Sequence, residues 1–161
     1  MATYQREVWV DAPLADVWEF HSTIDGLEAL TPGWMNLRVE GIRGPDGESE
    51  TSVLTAGTDV RLSARPFGVG PRQEWVSTIT RREESDGAAV FADEMRGGPF
   101  ATWNHTHQFY ADDGRTLVRD RVEYEFPLGP AGPAFDQLAW VGFEPMFRYR
   151  HRQTKGLLER G

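Results

Sequence analysis

Between Thr58 and Phe126 the chain alternates β-patterned runs with short turn sequences, and that rhythm leaves few folds open. The runs are 58–65 (TDVRLSAR), 73–82 (QEWVSTITRR), 88–94 (AAVFADE), 101–110 (ATWNHTHQFY) and 115–126 (RTLVRDRVEYEF). The links are PFGVGP, ESDG, RGGP and ADDG, all turn chemistry. Strands that succeed each other across links this short run antiparallel. Upstream, residues 4–10 (YQREVWV) read as a first strand, and Asp11 offers a cap for a helix whose stripe is Leu14, Val17, Trp18 and His21. A second short helix over 24–30 is stopped by Thr31-Pro32-Gly33, and 34–42 (WMNLRVEGI) reads as strand. The polar stretch 43–57 predicts a long exposed connection, with Glu48-Ser49-Glu50 as solvated charge. From Pro133 to Glu159, Phe135, Leu138, Ala139, Gly142, Phe143, Met146, Phe147, Arg150, Thr154 and Leu157 fall at three- and four-residue steps, so one long helix closes the chain. Pro145 inside it predicts a kink or break near Phe143. A sheet with one apolar face and a long striped helix bury each other best when the sheet curls around the helix, an α+β arrangement of about seven strands.

At 161 residues the chain predicts one domain, 1–161, large enough for a core and a small cavity. It has no cysteine, which excludes disulfides, thiol catalysis and thiolate metal sites. A formal net charge of -8 makes nucleic acid and anionic lipid surfaces poor partners. No run is apolar enough to span a membrane, and MATYQREVWVDAP lacks the pattern of a signal peptide, so a cytoplasmic protein is the default expectation. Monomer and homodimer both stay open.

The segment WNHTHQF, Trp103 to Phe109, sets two histidines two residues apart, which on a strand sends both imidazoles to one side. If Asp113-Gly114 is a two-residue hairpin turn, the register follows. His107 then lies opposite Asp120, His105 opposite Val122 and Trp103 opposite Tyr124, all on one face with Phe109 and Val118. A one-residue slip would turn Arg119 and Arg121 inward, at high cost. Trp75, Ser77, Ile79, Phe91 and Asp93 share the inward parity on neighbouring strands, and the last helix offers Phe143, Met146, Phe147 and one of Tyr149 and Arg150.

Three patterns carry a resemblance. Val8 to Phe20 (VWVDAPLADVWEF) resembles the strand–"AP"–helix opening of polyketide-cyclase-like proteins. Phe91 to Phe109 (FADEMRGGPFATWNHTHQF) resembles a signature of ligand-binding SRPBCC proteins, and Phe147 to Arg150 (FRYR) resembles their closing helix. The chain is thereby identified as a member of the SRPBCC superfamily, the START or Bet v 1-like group. That resemblance implies the helix-grip fold. It does not fix a function, because the superfamily spans lipid and sterol carriers, hormone receptors, aromatase/cyclases and oxygenase domains. The oxygenases combine a two-histidine, one-carboxylate iron site with a separate iron–sulfur domain, and nothing here carries that activity over.

The leading reading is a binder of a small hydrophobic molecule of lipid, quinone, polyketide or aromatic type, without cofactor. Trp75, Phe91, Trp103, Tyr124, Phe143 and Phe147 would line the cavity. His105, His107 and Asp120 would anchor a polar group of the ligand, since a dry pocket with a few convergent polar groups is what small-molecule sites look like. His107 and Asp120 also fit a purely structural hydrogen-bonded pair, with His105 bonded to a neighbour. Alternatives are a cyclase/dehydrase-like enzyme with His107 and Asp120 as general base, and a protein-interaction module. Metal binding is set aside, because directly opposed positions let His107 and Asp120 bond each other instead of an ion. His21 and His151 are expected to be solvated or structural, and Trp9 and Trp18 to be core. Gly97-Gly98-Pro99 lacks the lysine and following helix of a phosphate loop, and Asp112-Asp113-Gly114 is too short for a calcium loop.

Overall fold

The computed structural model describes residues 1–47 and 53–159, so the acidic run at 48–50 lies outside the described residues. Strand β1 (Ala2–Val10) leads into α1 (Leu14–His21) and α2 (Ile24–Ala29). Six further strands follow: β2 (Arg38–Arg43), β3 (Asp59–Ala64), β4 (Gln73–Ser85), β5 (Ala88–Gly97), β6 (Thr102–Asp112) and β7 (Arg115–Glu125). Helix α3 (Gly132–Leu158) closes the chain. The strands form one curved antiparallel sheet in the order β1-β7-β6-β5-β4-β3-β2. Chain order is kept from β2 to β7, and β1 crosses to pair with β7, which brings both chain ends to one edge. Helix α3 lies in the concave face, against β1 and β7. This is the helix-grip architecture. No described helix is long and apolar enough to cross a membrane.

The hairpin register agrees with the turn argument. Asp113 and Gly114 both take positive φ, 50° and 80°, as a two-residue turn of this hand requires. Asp112 pairs with Arg115, His107 with Asp120, His105 with Val122 and Trp103 with Tyr124. In β4 the register shifts between Ile79 and Arg81, a bulge that resets inward parity from Ile79 to Arg82.

Four local expectations need correction. Asp11 does not cap α1; Pro13 holds that place without a side-chain bond, and the Asp11 N–H instead donates to Glu159 Oε1 at 3.0 Å. Residues 34–37 are not strand: Gly33–Met35 form a short 3-10 turn, and Asn36 takes φ 49°, a conformation asparagine tolerates. Helix α3 is continuous through Pro145. The carbonyl that proline deprives of a partner belongs to Val141, a residue on the exposed side of the helix. Trp18 is core, whereas Trp9 points outward with Arg115 over its ring at 4.7 Å.

Candidate functional site

All four histidines of the chain meet inside the grip. Asp120, on β7, is the hub. Its Oδ1 lies 2.9 Å from His105 Nε2 and 2.7 Å from His107 Nδ1, and its Oδ2 lies 2.5 Å from His151 Nε2 on α3. The His107 contact is close but does not form a hydrogen bond, so it acts as a charge–dipole contact. The His105 and His107 rings stand side by side with centroids 3.8 Å apart. His21, at the end of α1, faces His107 at 6.2 Å and gives its Nδ1 to the Val17 carbonyl at 2.8 Å. Of the expectation that His21 and His151 are solvated or structural, the solvated alternative is therefore overturned. Both are buried, because the last turn of α1 and the last third of α3 close over the hairpin.

Burial dominates the electrostatics. It pushes the His107 imidazole down to about 4, with His105 acting in the same direction. It pushes His21 down to about 3 and lowers His105 as well. Burial alone would raise Asp120, but His107 and the bonds from the histidines outweigh it and hold this carboxyl well below its usual range. Neutral imidazoles that face an ionised carboxylate must present N–H to it. His105 thus donates from Nε2 and keeps a lone pair on Nδ1, while His107 turns Nδ1–H to Asp120 and keeps its lone pair on Nε2.

Beside this cluster lies a cavity of about 140 Å³. Its walls are mainly apolar: Leu54, Val60, Leu62 and Ile79 from the sheet side, Leu27 from α2 and Leu30 from the cap that ends it. Of the expected lining, Trp75, Phe91, Trp103, His105, His107 and Phe147 are present. Tyr124, Phe143 and Asp120 do not line it. Tyr124 and Phe143 pack edge to face at 4.9 Å in a separate aromatic cluster, and the Tyr124 hydroxyl donates to the Asp136 carbonyl. Asp120 is enclosed behind its histidines.

Two lining groups carry charge, Asp93 and Arg150; the sequence placed the first on the inward face and offered the second from the last helix, but gave neither a role in the site. Asp93 pairs directly with His105 across β5 and β6. Burial pushes its carboxyl up to about 6, against the opposing charges of His107 and Arg150. Inward parity pointed to Asp93, but the irregular RGGP link gave no register to set it beside His105. Arg150, from α3, reaches the cavity; among the described residues it has no ion-pair partner within 4.0 Å, and its Nε has no hydrogen bond. Helical periodicity alone could not decide its facing.

Comparison with known proteins fits this picture. No curated protein sequence matches the chain. Among solved structures, similar folds include norcoclaurine synthase from Thalictrum flavum in complex with dopamine and hydroxybenzaldehyde, at a TM-score of 0.66 and 18% identity over 99% of this chain and 88% of that one. A START superfamily protein from Mycobacterium smegmatis aligns with a TM-score of 0.61 and 16% identity over 96% and 98% of the two chains. A protein from Chromobacterium violaceum aligns with a TM-score of 0.69 and 12% identity over 99% and 98%. Identities this low speak for the fold alone. Residues 10–147 match the family described as polyketide cyclase / dehydrase and lipid transport, and the chain belongs to that family.

Proposed function

We propose that the protein binds one small, largely apolar molecule, about the size of a substituted single ring, inside the helix grip. The observation that carries this reading is the cavity of about 140 Å³ with apolar walls and a polar group of Asp93, His105, His107 and Arg150. Cavities of roughly 150 Å³ accept benzene, whereas drug-sized sites run to about 300–1,000 Å³. The volume therefore favours a ring-sized ligand over the longer lipids and polyketides. The dopamine and hydroxybenzaldehyde of the norcoclaurine synthase structure are molecules of that scale. The polar atoms supply specificity: a ligand without a matching oxygen or nitrogen leaves a buried group unpaired, at about 1–3 kcal/mol.

Binding ranks ahead of proton abstraction by His107. A base held down to about 4 by burial takes a proton weakly at neutral pH. Native against denaturing mass spectrometry on protein purified without chelator tests the proposal. A released organic mass of ring size is the expected result, and it should be lost in Trp103→Ala. A cavity that stays empty in the cell extract and also fails to take up phenol at millimolar concentration would refute it.

A further inference from the structure

Asp93, His105 and His107 each present one donor atom to a common point, and these atoms lie within 4.8 Å of one another. We propose that this trio binds a single divalent transition-metal ion, zinc foremost, and that Asp120 orients the two imidazoles from behind. The expectation from sequence set metal aside because Asp120 competes for His107. In the folded protein Asp120 contacts one nitrogen of each ring, Nε2 of His105 and Nδ1 of His107. The other nitrogen of each ring keeps its lone pair, and a different carboxylate, Asp93, completes the set.

Topology makes the set rigid. The β5–β6 pairing fixes Asp93 opposite His105, and His107 follows two residues on along the same face. Metal-binding histidines donate their second ring N–H to a carboxylate, which fixes ring orientation and basicity; Asp120 takes that place, by a hydrogen bond to His105 and a 2.7 Å charge–dipole contact to His107. Asp93 lines the cavity with no ion pair within 4.0 Å among the described residues, and the Ser77 hydroxyl and the more distant His107 and Arg150 offset its burial only in part. Such a group is costly without a cation. Ligands at about 2.1 Å from a shared ion stand at most about 4.2 Å apart, so side-chain movements of under about an ångström close the set. Two imidazoles and a carboxylate, with no thiolate, suit zinc. A three-residue site leaves a coordination position open to the cavity, where the ion would polarise an oxygen of a bound molecule. Arg150 on the same cavity weakens the hold on a bare cation and favours an anionic or strongly dipolar group in that position.

The test uses the full chain, stripped with chelator and then titrated with zinc by calorimetry and with cobalt by visible absorption. One equivalent should bind, with a cobalt spectrum of low coordination number. Asp93→Asn and His107→Ala should each weaken zinc binding tenfold or more. Asp120→Asn should weaken it about 10–100-fold and shift the cobalt bands, because the rings lose their orientation. Circular dichroism checks the fold of each variant, and Asp93→Asn, nearly isosteric, keeps the test decisive if His107→Ala unfolds. Absence of saturable binding by the wild-type chain would overturn the proposal, and so would unchanged affinity in folded Asp93→Asn. No organic ligand is present in these titrations, so their failure is separate from any failure of cavity binding.

Discussion

The concave sheet face is filled in two opposite ways. Near β1 and the middle of α3, Tyr4, Val122, Tyr124, Phe143 and Phe147 interlock with Phe100, Trp103 and Phe126 into a packed aromatic cluster. One rung further, where His107 pairs with Asp120, aromatic residues give way to imidazoles and carboxylates, and a cavity opens beneath α1 and α2. Rings in the first region adjust by rotation until they fill space, because dispersion is short-ranged and undirected. Polar groups in the second are held by bonds of fixed length and direction, so they cannot lean over to fill the gap. The hydrogen-bonded hub thus serves two ends: it satisfies buried polar atoms and keeps a hole open beside them.

Breaking the hub should have the largest effect. Asp120→Ala removes the shared acceptor of three buried imidazoles and should cost about 3–5 kcal/mol in urea unfolding. A loss under about 1 kcal/mol would mean the cluster does not hold the fold. Truncating the packed side ranks next. Phe143→Ala should cost about 3 kcal/mol by the same measurement, since it opens a void among rings, but should leave phenol affinity unchanged. If phenol binding falls as well, the two regions are not separable.

Acid sharpens the contrast further. Unfolding frees His21 and His107 to take protons near their ordinary value, about 6.5, while the folded protein holds them down to about 3 and about 4. The unfolded state therefore binds more protons as pH falls, and stability drops from about pH 6.5 downward. Asp93, raised to about 6, acts in the opposite sense and offsets part of this. At about 1.4 kcal/mol for each pH unit and proton, the net loss from pH 7 to pH 5 is roughly 2 kcal/mol. Chemical denaturation at both values measures it, and Phe143→Ala should show the same pH slope as wild type. The smallest expected effect on stability is that of Leu62→Phe, which fills the cavity from its wall. It should change stability by less than about 1.5 kcal/mol.

Much of the fold could be read from residue order. The Asp113-Gly114 turn set the β6–β7 register, and the period-two pattern of that hairpin brought His105, His107 and Asp120 to one face. The rest depended on geometry that periodicity does not encode. Whether Arg150 or Tyr149 faces the sheet depends on the rotation of α3 about its axis. Whether His21 reaches the site depends on how far the last turn of α1 leans over β6. Tyr124 has inward parity and Phe143 lies on the apolar stripe of α3, yet both sit too far along the grip to line the cavity, because parity and stripe give the face and not the position along it. Asp93 lay in view with the right parity, and only the irregular link from β5 to β6 hid its place opposite His105.

The central claim is that the unfilled rung is a binding site and not a packing flaw. Trp75 and Trp103 line the cavity, so tryptophan fluorescence reports directly on its occupancy. The decisive measurement is a phenol titration of the wild-type chain and of Leu62→Phe, followed by that signal. Saturable one-to-one quenching in wild type, abolished in a folded Leu62→Phe variant, is the predicted result. A linear, unsaturable response in wild type, or the same saturation in both proteins, would contradict the account.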